Sequence, residues 1–437
     1  MSLNGEKFLD RMSDVDHRLI TEADKARKSK GIFWKAGIVT VAAAAAVAVG
    51  LNFLLPMLQN KPMPQDNDPN WTPLSSDELP DLPMLEAATF GEKPVGMGYE
   101  GFSRSEMEKR IAVYDKLRQN FGIREMPVYK SGSVNPDVDA MRARLREVVE
   151  YFGLDYDSLD INETVTDEES LREQFEAYGA PEEEIQRMLN ISRMNSYISV
   201  YERDDEGYSL SSFSIDASLC VSAHLSHTYY DDKGVFETGG IELPSEYNFK
   251  DGASPEELEA AGRYILDKFS DLFGINNPVV VTDPEYDGYV EFYEKGATDA
   301  ESIANQCIKH VGFSSTDDGK LGMIRIFEEY KHCEKIADYP IANLEQATEL
   351  LRNGNYLTSA MYDLTGEEEI AFVELKYRSG IGYSCVMPFY RFLVKLPEEF
   401  EQEGEEHYGA YYVAAVRQEY LGELDRPMIS FNGGLIK

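Results

Sequence analysis

The chain has 437 residues, with 79 acidic and 42 basic side chains and a formal net charge of −37. A surface this acidic repels phosphate backbones, so the composition argues against binding of DNA or RNA. The length is sufficient for two or three domains with their own hydrophobic cores.

Residues 1–35 differ from the rest because they carry eight basic and six acidic side chains. They also contain apolar residues at helical spacing, namely Phe8, Leu9, Met12, Val15, Leu19 and Ile20. A short isolated helix is only marginally stable, so this stripe is expected to fold against a membrane surface, a second copy or a cytoplasmic partner. The alternative is an inert tail that only orients the protein.

Residues 36–58 form an uncharged run of 23 residues. As a helix this run is about 34 Å long, which is enough to cross a hydrocarbon core of about 30 Å. Basic residues lie before it in the chain, so the positive-inside rule predicts a cytoplasmic N-terminus and an extracellular C-terminal body. The competing interpretation is a signal peptide cut after Ala48, but the long N-terminal stretch and the ten further apolar residues favour a membrane anchor.

Residues 59–100 are predicted to be a proline-rich stalk. Eight of the nineteen prolines lie between residues 56 and 94, and such segments behave as semi-rigid spacers. Five apolar residues in it are candidates for packing on the body or lying at the lipid interface: Trp71, Leu74, Leu79, Leu82 and Leu85.

The next segment, 101–250, is predicted to be a first α+β module. Apolar periodicity predicts helices at 105–122, 137–153 and 167–179, followed by a short helix that begins at Pro181. From Asn195 the period changes from 3.6 to 2, which predicts a series of strands.

Residues 251–437 are predicted to contain a second and a third α+β unit. Ser254 and Glu257 form a capping-box pattern at the start of a helix over 255–274. Strands are predicted at 278–293 and 308–334, then a helix at 343–354, then strands at 369–378, 382–396 and 408–421. The fold class is therefore predicted as α+β, with repeated helix-plus-antiparallel-sheet modules outside one N-terminal transmembrane helix.

No local motif for nucleophilic catalysis, zinc or calcium binding occurs in the chain. We therefore expect no catalytic residue, no metal site, no cofactor and no enzymatic activity, with a scattered active site as the open alternative. The four cysteines are candidates for disulfide bonds outside the cell, and their three pairings stay open: Cys220, Cys307, Cys333 and Cys385.

Two stretches resemble known families. The tail, FLDRMSDVDHRLITEADKARKSKGIFWKAG, resembles the juxtamembrane segment of single-pass membrane proteins of Firmicutes, some of which are treated as anti-sigma-factor-like regulators. In the C-terminal part 336–437, the segments 339–356, 387–398 and 408–416 look like the last module of YycH/YycI-type regulatory ectodomains.

These resemblances imply a bitopic membrane regulator of a Gram-positive bacterium. Its extracytoplasmic domain would sense or bind an unknown ligand, and its tail would hold a sigma factor or the transmembrane helix of a sensor kinase. The alternative is a surface-anchored binding or chaperone-like module whose cytoplasmic tail is inert.

Overall fold

The computed structural model describes residues 79–85, 100–112, 116–131, 136–165, 167–203, 209–231, 234–250, 252–282, 288–358, 360, 362–378, 385–401 and 404–425. All of them belong to one compact unit, 67–437. The predicted tail and anchor lie outside the described residues. Among the described residues, no helix combines the length and the apolar composition needed to cross a membrane.

The described body is α+β. Its helices are α1 (Arg104–Ala112), α2 (Val138–Tyr151), α3 (Glu168–Ala177), α4 (Glu182–Met194), α5 (Pro255–Lys268), α6 (Ser270–Phe273), α7 (Asp299–Ile308) and α8 (Leu344–Arg352).

The strands alternate with these helices along the chain. They are β1 (Leu82–Leu85), β2 (Gly101–Ser103), β3 (Glu125–Lys130), β4 (Asp160–Thr164), β5 (Tyr197–Arg203), β6 (Ser209–Asp216), β7 (Cys220–His224), β8 (Ser226–Asp231), β9 (Gly234–Gly239), β10 (Pro278–Thr282), β11 (Tyr289–Glu294), β12 (His310–Ser315), β13 (Leu321–Phe327), β14 (Glu334–Pro340), β15 (Leu357–Thr358), β16 (Ile370–Arg378), β17 (Cys385–Lys395), β18 (His407–Ala414) and β19 (Leu421–Asp425).

One sheet has eight antiparallel strands in the order β10-β11-β12-β13-β7-β6-β5-β4. Strands from both predicted modules, before and after residue 250, take part in it. One face packs on α2 and α5, whose buried residues recur every three or four positions. In α2 these residues are Met141, Leu145, Val148 and Val149.

The second sheet has seven antiparallel strands. Its main path is β14-β3-β17-β18-β15, with β16 paired to β17 and β2 paired to β18. Both faces of this sheet are covered. Val373 and Leu375 of β16 lie in one apolar cluster with α7 and α8, and Phe372 lies in another cluster with Leu82 and Phe102. This explains why β17 is buried along almost its whole length.

Helix α7 packs against strands of both sheets, including β11 and β16. Strands were predicted at 278–293 and 308–334 and no element was predicted between them, so α7 was missed by the sequence analysis. Its start nevertheless carries a cap, because the Thr298 hydroxyl accepts a hydrogen bond from the Glu301 amide at 3.1 Å. Its buried face includes two alanines, Ala300 and Ala304, which gives a weak apolar signal.

The other predicted helices begin where their caps are. Both the Ser254–Glu257 and the Asn343–Gln346 capping boxes are formed. The predicted helix 105–122 differs, since it is represented by α1 and a separate 3₁₀ turn, Lys116–Gln119.

Residues 79–85 of the predicted stalk are part of the body. Strand β1 pairs in parallel with β19, and Leu82 is buried. The Tyr339 hydroxyl donates a hydrogen bond to the Pro80 carbonyl at 2.7 Å. The apolar residues of the stalk were predicted either to pack on the body or to lie at the lipid interface. In this segment they pack on the body.

Candidate functional site

The most unusual feature of the body is a row of polar side chains inside the seven-stranded sheet. In the strand register, Glu374 of β16 lies opposite Arg391 of β17, which lies opposite Tyr412 of β18. Glu374 is fully buried and Arg391 is 6% exposed. The two form an ion pair between Arg391 Nη2 and a Glu374 carboxylate oxygen. Buried charges require such pairing because they have lost their hydration.

Glu100 joins this row from the N-terminal side of β2. Arg391 Nη1 donates a hydrogen bond to Glu100 Oε1 at 2.7 Å. The Tyr412 hydroxyl lies 2.7 Å from Glu100 Oε2 and 2.9 Å from Oε1. Glu100 is therefore held by two neighbouring strands, at the point where the predicted stalk ends.

The 3₁₀ turn before β3 brings a further cation to the row. Arg118 Nη1 lies 3.4 Å from Glu374 Oε2, and the Arg118 Nε also donates to Gln306 of α7. The neighbouring Gln119 side chain bonds the Val373 carbonyl of β16 at 3.5 Å. This turn thus covers the edge of β16 and connects the row to α7.

Two more cations follow Glu374 on the same face of β16, because alternate strand residues share a face. These are Lys376 and Arg378, both partly buried. The Arg378 guanidinium lies 4.1 Å from the centre of the Tyr412 ring. We call the set of Glu100, Arg118, Glu374, Lys376, Arg378, Arg391 and Tyr412 the charged cluster.

The charged cluster has four cationic side chains and two carboxylates, in a protein whose formal net charge is −37. Both carboxylates are ionised. Burial favours the neutral form of Glu100, but Arg391, Lys376 and the Tyr412 hydrogen bond outweigh it and lower its pKa to about 2. For Glu374, the charges of Arg391 and Arg118 likewise outweigh burial and lower the pKa.

Within the charged cluster, the positive charge of Lys376 has no direct partner. Among the described residues its ammonium group has no hydrogen bond and no ion pair within 4 Å, and it feels the others only through space. Burial and the repulsion from Arg391 lower the pKa of Lys376 to about 8. Folding therefore brings the charge of Lys376 into surroundings that disfavour it.

We predict that Lys376→Met raises the free energy of unfolding at pH 7 by about 2 kcal/mol. Folding lowers the pKa of Lys376, so the folded protein holds fewer protons on this group than the unfolded chain at pH values above about 8. Charged Lys376 thus opposes folding below pH 8, and this effect fades as the pH approaches the ordinary lysine pKa. The gain from Lys376→Met should shrink accordingly when urea unfolding is repeated at pH 10.

The matched control is Lys130→Met, an exposed lysine on β3 of the same sheet. It should change neither the stability at pH 7 nor its pH dependence to a comparable extent. If Lys376→Met were less stable than the parent at pH 7, the lysine would be making a favourable contact and the interpretation would be wrong.

The partner-binding residues predicted from the tail are outside the described residues. They are Phe8, Leu9, Met12, Val15, Leu19 and Ile20. Their role stays a prediction.

The four cysteines are placed in different elements. Cys220 begins β7, Cys307 lies in α7, Cys333 precedes β14 and Cys385 begins β17. No disulfide bond joins these four described residues in the structure, and disulfide formation among them stays a prediction. Burial raises the pKa of the Cys220 thiol to about 12, which keeps it protonated.

The sequence analysis did not identify the charged cluster. One signal was available, since Arg391 is the single charge in the segment from Cys385 to Val394. A lone charge in a strand that is otherwise apolar indicates a buried ion with a partner on a neighbouring strand. Among the described residues, no group of three or more His, Cys, Asp or Glu side chains is placed to hold a metal ion.

Comparisons with known proteins give little overlap. No family model matches the chain, and no curated protein matches it. A crystal structure of an uncharacterized protein from Eubacterium rectale ATCC 33656 is similar over 66% of this chain and 82% of that chain, with 11% identity and a TM-score of 0.29. A likeness of this size assigns neither a fold nor a function.

Proposed function

We propose that this protein is a bitopic membrane regulator of a Gram-positive bacterium, with an extracytoplasmic sensing or binding domain and a short cytoplasmic partner-binding segment. The observation that carries the proposal is the position of Glu100. It is the last residue of the predicted stalk, and its carboxylate is bonded to Arg391 and Tyr412 in the body. The charged cluster is therefore bonded to the residue at which the predicted stalk ends, and this stalk connects the body to the predicted anchor, 36–58.

The sequence supports the other parts of the proposal. The uncharged run and its basic flank favour a single membrane-spanning helix with the N-terminus in the cytoplasm. The apolar stripe of the tail needs a surface to fold on. By resemblance to anti-sigma-factor-like proteins, a sigma factor is the first partner to test, and a sensor kinase is the second.

The finer description of the fold also belongs to the proposal. Residues 101–250 and 251–437 would be repeated helix-plus-sheet modules, and 336–437 would correspond to the last module of YycH/YycI-type ectodomains. The order of α8 followed by β16, β17 and β18 agrees with the predicted helix-then-strands pattern of that last module.

We expect the double variant Met12→Asp, Leu19→Asp to lose co-purification of the cytoplasmic partner while membrane insertion is unchanged. The two aspartates interrupt the apolar stripe, and two charges on such a face are incompatible with its burial. The measurement is co-purification of the tagged full chain from membranes, with insertion followed by protease protection of the tail.

The matched control is His17→Asp, Thr21→Asp. At about 100° per residue these positions lie on the opposite side of the same helix and add the same formal charge. Capture of the partner by the stripe variant at the control level would contradict the proposal.

A second variant separates the regulator from the surface-anchored binding module. Deletion of residues 2–24 should abolish the regulatory output if the tail holds a partner. An anchored module with an inert tail should keep its extracellular binding and show no change in transcription.

A further inference from the structure

We propose that the outer edge of strand β4 is a docking surface for an extended, cationic peptide segment of another protein, which would add one strand to the eight-stranded sheet. The inference rests on the proposed function in one respect, because it names the class of ligand that the sensing domain would take. The surface, which we call the β4 edge, consists of Asp160–Thr164 together with Val165 and Tyr197.

Strand β4 is the last strand of the eight-stranded sheet and has one unpaired edge. It pairs with β5 on one side, from Asp160 opposite Tyr201 to Thr164 opposite Tyr197. On the other side, no strand and no backbone hydrogen bond from the described residues reaches it. All five residues of β4 are exposed, so the described helices and loops leave this edge open. A row of unpaired backbone N–H and C=O groups is a template for a further strand.

Three exposed apolar side chains belong to the β4 edge. Ile161, Val165 and Tyr197 are 46%, 39% and 38% exposed, and only two other large hydrophobic residues in the described part of the chain are exposed to this extent. Ile161 lies opposite Val200, which is fully buried in the core. The apolar face of the sheet therefore continues onto β4, where it meets solvent. An added strand would cover this apolar surface.

The charge around the β4 edge favours a cationic partner. Strand β4 itself carries Asp160 and Glu163, and Glu168 begins α3 shortly after it. The stretch 137–203 contains 17 acidic and seven basic side chains, and these basic residues include the arginines that pair with the three carboxylates. An excess of ten negative charges therefore remains after the ion pairs are counted. Lysine or arginine side chains on an added strand would be attracted to it.

A second copy of the chain fits the β4 edge less well than a cationic peptide. Two β4 strands side by side would bring two acidic surroundings together, and each chain has a formal net charge of −37. The β4–β5 register is continuous and residues 160–164 contain no proline, so a bulge and a proline, two common protections of edge strands, are missing from β4. Its negative charges oppose self-pairing and still permit pairing with a cationic strand.

The experiment measures binding of a synthetic peptide of alternating lysine and valine, long enough to span β4, to the purified full chain in detergent by isothermal titration calorimetry. We expect saturable binding that weakens with added salt, because part of the attraction is between exposed charges. The corresponding peptide of glutamate and valine should not bind. Amide hydrogen exchange at residues 160–164 should slow when the lysine peptide binds, because backbone groups of β4 become paired.

A modified peptide separates strand addition from attraction between charges alone. The lysine–valine peptide methylated at every backbone nitrogen keeps its charge but has no backbone N–H donor. Strand addition predicts that its apparent affinity is about ten-fold lower or weaker still, because hydrogen bonds to β4 are lost. Equal binding of the two peptides would overturn the inference.

The variant Ile161→Lys tests the position of the site. A cationic side chain at this exposed position repels a cationic strand and removes an apolar contact, so the affinity should fall about ten-fold or more. The matched control is Ala260→Lys, which adds the same charge at an exposed position of α5 and should bind as the parent does. Urea unfolding of both variants checks that they are folded.

The inference is overturned if the lysine–valine peptide does not bind, or if Ile161→Lys binds it as tightly as the parent. Sedimentation of the full chain tests the other occupant. Self-association that Ile161→Lys removes and Ala260→Lys retains would assign the β4 edge to a second copy, and this would also overturn the inference.

Binding at the β4 edge needs neither the tail nor a cytoplasmic partner, so its failure is distinguishable from failure of the proposed function. Loss of partner capture in Met12→Asp, Leu19→Asp without peptide binding would support the regulator and remove this class of ligand. Peptide binding with full partner capture in that variant would support the β4 edge and contradict the role proposed for the tail.

Discussion

Replacing Arg391 by methionine is expected to lower the free energy of unfolding by about 3 to 5 kcal/mol. Arg391 is the main partner of Glu374, which is fully buried, and the remaining cation, Arg118, is 3.4 Å away from it. The variant therefore leaves a buried carboxylate with a single long ion pair. Urea unfolding of the full chain in detergent, followed by tyrosine fluorescence, measures the change.

The double variant Arg391→Met, Glu374→Met tests the cause. Removal of both ions leaves an apolar pair of similar volume, which is often nearly neutral in other proteins. We expect the double variant to be more stable than Arg391→Met alone, because Glu100 is partly exposed and can be hydrated. If the double variant lost as much unfolding free energy as the two single variants together, the cost would come from the change in side-chain volume and not from an unpaired charge.

A surface arginine on another strand provides the control. Arg203 of β5 pairs with Asp160 at 3.0 Å, and the two side chains are 45% and 72% exposed. Exposed pairs of this kind contribute little. Arg203→Met should therefore remain close to the parent in the same assay.

Local signals in the sequence were sufficient for most helices of the body. Ser254 and Asn343 each begin a capping box, and Asp137 caps α2 through a hydrogen bond from the Ala140 amide at 2.9 Å. These contacts form between residues three apart, so a pattern read along the chain contains them. Helix α7 was missed because alanines form part of its buried face.

The sheets and the charged cluster depend on contacts between distant residues. Strand β1 pairs with β19, more than 300 residues later, and β3 lies between β14 and β17. No local pattern contains this information. The placement of Glu374 opposite Arg391 also depends on the register of the β16–β17 pair, which shifts between Ile370 and Phe372. A shift by one residue would place the two side chains on opposite faces.

The proposed function of the tail is supported by the sequence and not by the structure. The apolar stripe and the uncharged run are local patterns, and they lie outside the described residues. The charged cluster is the reverse case, because only the fold brings Glu100 to Arg391, 291 residues apart in the chain. The proposed regulator combines both, with the site defined by the fold and the output segment defined by the sequence.

A second buried ion pair gives an independent prediction of large effect. Replacing Arg144 by methionine is expected to lower the free energy of unfolding by about 2 to 4 kcal/mol. Arg144 of α2 holds Glu328 through two hydrogen bonds, at 2.6 and 3.1 Å, and donates a third to the Leu272 carbonyl at 2.7 Å. Glu328 is 2% exposed, and its remaining partner, Lys331, is 42% exposed.

This prediction separates burial from ion pairing as such, because α2 contains a matched arginine. Arg146 makes two short hydrogen bonds to Asp157, at 2.8 and 2.7 Å, but both side chains are exposed. If hydrogen-bond geometry alone set the cost, Arg144→Met and Arg146→Met should lower the free energy of unfolding equally. If burial sets the cost, the stability of Arg146→Met should stay close to that of the parent. Equal losses of unfolding free energy, measured with urea, would show that burial does not set the cost of removing Arg144 or Arg391.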